Sequence, residues 1–236
     1  LTPILERIAR EADGGFRLAK VDVDENPNLV LRYSVHSIPT VMAFSQGRKV
    51  SDFTGVIPEA RIIEFIRGIL PPSPSDLLGQ KGESLFAARD FDGARQAFEE
   101  ALELDPNHPA SLLGMMKIYL MTGQYDLAQS IYHSFPASQE FNASEELVPL
   151  IKAMDDHSHQ RLPEETDLDL AFNNAIHLAM RGNIYASIDG LLDILRQDKK
   201  YRRGRARSVL LALLDLLDPQ DEQTRRYRAE LASILF

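Results

Sequence analysis

Few residues in this 236-residue chain have the types and spacing that chemistry needs. His157-Ser158-His159 follows Asp155-Asp156, and imidazole next to carboxylate is a donor set that suits a divalent cation. No further ligand stands at a useful spacing, so the stretch reads as a mobile polar loop and no metal residue is assigned. The chain has no Cys, which removes disulfides, Cys-ligated zinc, iron–sulfur clusters and a thiolate nucleophile from these residues. No Gly-rich phosphate loop, Ser-His-Asp set or convergent carboxylate pair occurs, so no catalytic residue and no cofactor is assigned. His36 reads as a surface loop residue. Two binding features remain. Lys199-Lys200-Tyr201-Arg202-Arg203-Gly204-Arg205-Ala206-Arg207 concentrates cations, yet Tyr201 is its one aromatic, and a solvated helix start explains it better than nucleic acid. At the other extreme, Tyr227, Leu231, Ile234, Leu235 and Phe236 form an apolar stripe at helical spacing. Part of that stripe must pack on the preceding helix, and its last residues can meet a partner groove.

These residues sit in a chain of globular composition. Apolar residues make up 44% and charged residues 26%, which excludes a disordered, collagenous or disulfide-scaffold protein. The formal charge of −9 argues against a general nucleic-acid binder. No apolar run approaches the roughly 18 residues that cross a bilayer, and no signal peptide is in view, so the expectation is no membrane and a cytoplasmic location. The opening Leu1-Thr2-Pro3-Ile4 starts in mid-pattern without Met, which predicts further residues upstream.

Pro71-Pro72-Ser73-Pro74-Ser75 divides the chain, since Pro fixes φ and removes donors. Residues 1–70 alternate helix and strand patterns. Residues 3–12 carry Ile4, Leu5, Ile8 and Ala12 on one face, and Gly14-Gly15 stops them. Residues 16–23 alternate as a strand. Asn26-Pro27 opens a short helix through Tyr33. Val41-Met42-Ala43-Phe44 is a buried-strand run, Gln46-Gly47 turns it back into residues 49–53, and residues 58–70 form an amphipathic helix. Residues 71–76 form the linker, and residues 77–236 are helical. There a shift of 34 superposes Leu78 on Leu112, Leu85 on Tyr119, Ala94 on Ala128 and Phe98 on Tyr132. A weaker unit follows with Ala175, Leu178, Gly182, Ser187 and Leu191. Residues 136–166 are polar and carry Pro149 and Pro163, with one irregular helix expected over 144–154. Two last helices are expected over 206–217 and 221–236.

Asp22-x-Asp24-x-Asn26, Tyr33-Ser34-Val35, Ser37-Ile38-Pro39-Thr40, Phe44-x-x-Gly47 and Gly55 resemble the second half of a thioredoxin domain. The resemblance implies a cis bond before Pro39 and a peptide-binding edge at Ile38, Pro39 and Thr40. It also implies that an upstream third of the domain, with a central strand and any Cys-x-x-Cys, lies outside these residues. The period of 34 with Ala94, Phe98, Ala101 and Pro106 resembles the tetratricopeptide repeat. The order of the parts, closing on Tyr227-Arg228-x-x-Leu231-x-x-Ile234-Leu235-Phe236, resembles the chaperedoxin co-chaperones of the CnoX/YbbN type. The fold class expected is therefore an N-terminally truncated α/β thioredoxin-like domain followed by an all-α tetratricopeptide-like domain. The family implies a holdase that binds unfolding polypeptides and passes them to a GroEL-type chaperonin through its terminal helix, with a DnaK-type chaperone as a further partner. Two alternatives stand beside it. One is a thiol–disulfide oxidoreductase, if the upstream residues hold Cys-x-x-Cys, and the other is a repeat scaffold for protein interaction.

Overall fold

Gln46 and Gly47 both take left-handed backbone, φ 49° and 76°, the twist that a two-residue hairpin connection requires. They turn β1 (Thr40–Ser45) back into the antiparallel β2 (Arg48–Thr54), with Val41 opposite Phe53 and an irregularity at Ala43/Phe44. This is a computed structural model, and it describes residues 1–12 and 14–235. The chain divides into two units, Leu1–Ser73 and Pro74–Phe236.

The first unit adds α1 (Thr2–Glu11), α2 (Pro27–Tyr33) and α3 (Glu59–Arg67) to the hairpin. Helical spacing puts Ile62 and Ile66 of α3 inside, against Leu5 of α1. Phe16, Leu18, Val41 and Phe53 close over them, and the Phe53 ring meets Phe65 edge-on at 5.0 Å. The strand expected over 16–23 does not form. A strand exists through lateral hydrogen bonds, and among the described residues β1 pairs with β2 alone. Residues 17–23 run as irregular chain, tied by Lys20 Nζ to Glu6 (2.6 Å), and Val21 stays 54% exposed.

Helices are the regular structure of the second unit among its described residues. It runs α4 (Pro74–Ala87), α5 (Phe91–Leu104), α6 (Pro109–Met121), α7 (Tyr125–His133), α8 (Glu140–Glu146), α9 (Val148–Ser158), α10 (Asp167–Met180), α11 (Ile184–Gln197), α12 (Tyr201–Asp215) and α13 (Glu222–Leu235). The first three residues of α4, 74–76, come from the stretch expected to be linker. Its Pro74 suits a first turn, where a backbone N–H has no helical partner anyway.

The 34-residue period has a hydrogen-bond counterpart. Helices α4, α6 and α10 each end in a turn where a left-handed residue, Arg89, Gly123 or Gly182, sends the next N–H back five residues. Asp90 N–H donates to Leu85, Gln124 to Tyr119 and Asn183 to Leu178, at 2.8–2.9 Å. Leu85 and Tyr119, superposed by the 34-residue shift, are thus the carbonyl acceptors in two successive turns. Phe98 of α5 is 1% exposed and lies between Gly82 of α4 and Gly114 of α6. A Cβ at either glycine would stand 2.4–2.5 Å from the ring, so the three helices meet only because both lack one.

Residues 136–166 are not a polar linker. They fold into α8 and α9, whose Leu147, Leu150, Ile151, Ala153 and Met154 are buried with the main core. The single helix expected there is two, broken at Leu147, and Pro149 sits in the first turn of α9. His157 and Ser158 complete α9 and are not loop residues.

Helix α12 begins with a backbone break. Arg202, Arg203 and Gly204 are all left-handed (φ 45°, 60° and 88°), a region that disfavours non-glycine residues by roughly 1–2 kcal/mol each. A buried carboxylate holds the break in place. Asp169 of α10, 1% exposed, accepts from the Tyr201 hydroxyl at 2.6 Å and from Arg202 at 2.8 and 3.1 Å. It also completes a capping box with Thr166. The Arg202 guanidinium, with help from Tyr201 and Thr166, keeps the Asp169 carboxyl well below the usual carboxylate range. Burial, reinforced by Asp169, pushes the Tyr201 hydroxyl up.

Two outcomes follow. Gly114→Ala is expected to destabilise the second unit by about 1–3 kcal/mol in urea unfolding, although Ala favours helix; Phe98→Leu in the same chain recovers part of the loss. For Asp169, folding lowers the pKa, so its contribution is complete above the unfolded value near 4 and fades as pH falls through the folded value. Asp169→Asn therefore lowers the melting temperature at neutral pH, and its difference from the parent chain narrows as pH drops below about 4.

Candidate functional site

The Ile38–Pro39 peptide bond is cis. It sits where α2 gives way to β1, and the neighbouring hydrogen bonds fix its surroundings. Gly55 N–H donates to the Pro39 carbonyl (2.8 Å), and the Thr40 hydroxyl donates to the Ser37 carbonyl (2.6 Å) and lies 3.3 Å from the Thr54 hydroxyl. The Ile38 backbone makes no backbone hydrogen bond among the described residues, and its side chain is 72% exposed. An extended polypeptide could use that free N–H and C=O, in the way an added strand does. Val56 follows Gly55 and leaves the hairpin at the same end, 75% exposed. Sequence reasoning missed it, although a β-branched apolar residue just past a strand-ending glycine is a usable signal.

The terminal helix places its stripe unevenly. Leu231 is 5% exposed and belongs to the core of the second unit. Tyr227 is half-buried and stacks on Tyr185 of α11 at 6.2 Å, a partner absent from the sequence reading. Ile234 and Leu235 are also half-buried, against the same core. Phe236 lies outside the described residues. Polar contacts hold α13 along its length: Arg228 to Asp215 at 2.7 Å, Arg196 to Glu230, and Arg89 of the first turn to Asp221 at 3.4 Å. Thr224 and Leu231 are the fully buried residues of α13, and Tyr227, Ile234 and Leu235 add part-buried apolar surface against the same core.

The histidines of the 157–159 stretch separate. His159 Nδ1 lies 3.1 Å from the Asp155 carboxylate, whereas His157 faces the ring of His177 on α10 at 5.7 Å. Arg161 and Arg205 take up Asp156 at 3.0 and 2.5 Å. Among the described residues no three His, Asp or Glu side chains gather in a metal-binding group. His36 is exposed. No described helix is long and apolar enough to cross a membrane.

Family comparisons agree with this division. A thioredoxin model matches residues 1–68, and tetratricopeptide repeat models match residues 85–144 and 151–236. An uncharacterized protein of Mycobacterium tuberculosis and its counterpart in Mycobacterium bovis are 25% identical to the chain over 244 residues, covering 100% of it and 74% of each relative. Thioredoxin 1 of Nostoc sp. is 36% identical over 66 residues, 28% of this chain and 62% of that protein. The thioredoxin of Staphylococcus saprophyticus is 38% identical over 66 residues and is covered to 64%. The chain is thus a thioredoxin–tetratricopeptide repeat protein, a thioredoxin domain at the N-terminus followed by repeats that serve protein–protein interaction.

Proposed function

We propose that the protein is a co-chaperone of the holdase class, a chaperedoxin. It binds unfolding polypeptides and passes them to a GroEL-type chaperonin that it engages through α13, with a DnaK-type chaperone as a second partner, in the cytoplasm. One observation carries the reading: a thioredoxin domain and tetratricopeptide repeats are followed by α13, whose Leu231 is buried while Ile234 and Leu235 in its last turn are only half-covered. Holding an unfolded chain needs exposed apolar area and tolerant geometry. The first unit offers Leu31, Ile38 and Val56 at 72–79% exposure, and the free backbone at Ile38 accepts any sequence, because main-chain groups are common to all. The docking role falls on Ile234, Leu235 and Phe236 with the rim of Tyr227. Leu231 supports the helix from below.

A thiol–disulfide oxidoreductase is the second reading, favoured by 36–38% identity to proteins named thioredoxin. It requires a thiol that these residues do not contain. Insulin reduction by the protein carrying the residues upstream of Leu1 decides it.

The co-chaperone reading is tested with a heat-unfolded client at near-stoichiometric ratio. The folded protein is expected to suppress aggregation, and no suppression overturns the holdase role. Ile234→Ser/Leu235→Ser is expected to weaken chaperonin capture roughly tenfold or more, as for loss of an apolar anchor, with aggregation suppression and far-UV circular dichroism nearly unchanged and the melting temperature lowered by the loss of their part-buried contacts. Undiminished capture overturns the assignment of α13.

A further inference from the structure

The turn into α12 has a feature that neither the repeat packing nor the co-chaperone reading uses. Six cations fall within residues 199–207, and they split into two groups. Arg202 is engaged by Asp169 and Glu165, and Arg205 by Asp156 and the face of Phe172. Lys199, Lys200, Arg203 and Arg207 are exposed and make no ion pair among the described residues. The paired cations are anchors, and the unpaired ones are their neighbours in sequence. Arg203 is presented by strained backbone, left-handed between two other left-handed residues, and the Asp169–Tyr201–Arg202 network holds that shape. Strain over-determined by its surroundings is a mark of a functional surface.

We infer that Lys199, Lys200, Arg203 and Arg207 form a docking surface for a short acidic polypeptide segment. Charge complementarity selects the sign of the partner, and two observations select its class. Tyr201 lies 3% exposed with its hydroxyl on Asp169, so the patch offers no aromatic platform on which a base could stack. The patch is also small and set in a chain of net charge −9. Screening confines electrostatics to about 8 Å at physiological ionic strength, so a short acidic segment meets the patch alone. A nucleic acid, with a charge every roughly 1.7 Å of duplex, runs off it onto acidic surface. Asp198, whose side chain accepts from the Lys200 N–H at 2.9 Å, and Glu165 beside Arg202 mark that acidic rim.

The test uses the whole chain and a fluorescent oligoglutamate peptide followed by anisotropy. Binding at low salt is expected, with most of it lost at roughly 0.5 M salt, where the screening length falls to a few ångströms. The quadruple variant Lys199→Ser/Lys200→Ser/Arg203→Ser/Arg207→Ser is expected to weaken binding roughly tenfold or more, the product of four modest exposed pairs, with an unchanged melting temperature. Arg48→Ser/Lys81→Ser/Arg181→Ser/Arg225→Ser removes the same charge from exposed cations elsewhere and is expected to keep the affinity. No binding, or equal loss in both variants, overturns the inference. A single-stranded oligonucleotide of equal charge that competes better than the peptide overturns the assignment to polypeptide.

Discussion

A carboxylate taken out of water has to be matched, and Asp169 is the place where this unit meets that constraint. It begins α10 as the reciprocal partner of Thr166, receives the Tyr201 hydroxyl, and draws Arg202 down from a backbone conformation that arginine otherwise avoids. Two of its three partners, Tyr201 and Arg202, come from α12, and the third, Thr166, is the residue before α10. The position of α10, the break that starts α12 and the outward set of the neighbouring cations therefore depend on one ionised group. Removing a single partner from such a cluster leaves a buried charge uncompensated, which is why the cluster behaves as a unit.

The repeat architecture was legible because its determinants are local and periodic. The 34-residue shift aligns Leu85 with Tyr119, and these residues supply equivalent carbonyls to equivalent turns. The hairpin was legible at Gln46-Gly47, where turn chemistry is carried by two residues. Other features are decided by what lies across space. Residues 16–23 have the composition of a strand, but composition supplies no pairing partner, and among the described residues they have none. In the 136–166 stretch, Pro149 and Pro163 suggested breaks, although Pro149 occupies a first turn that tolerates it and α9 delivers Leu150, Ile151 and Met154 to the core.

The same contrast applies to the surfaces. The cis bond at Pro39 and the exposure of Ile38 were reachable from a short motif, whereas Val56 required the hairpin register to bring it to that end. The terminal stripe was visible as a stripe, but periodicity ranks all its members alike. Packing separates them, placing Leu231 inside and leaving Ile234 and Leu235 part-covered. Likewise the run of cations at 199–207 was plain in the sequence, while its division into anchored and unpaired members depends on Asp156, Glu165 and Asp169, some thirty or more positions away.

The fastening of α13 has a thermodynamic corollary. Ion pairs at a surface weaken as counterions accumulate, while apolar cores tighten or hold. Along α13, Arg89, Arg196 and Arg228 reach partly exposed carboxylates in pairs worth little each, while Leu231 with part-buried Tyr227, Ile234 and Leu235 supplies the apolar hold, so rising salt trims the rim of the attachment without releasing the helix. Because Leu231 belongs to the same core as the helices beneath it, the hold on α13 and the stability of that core rise and fall together.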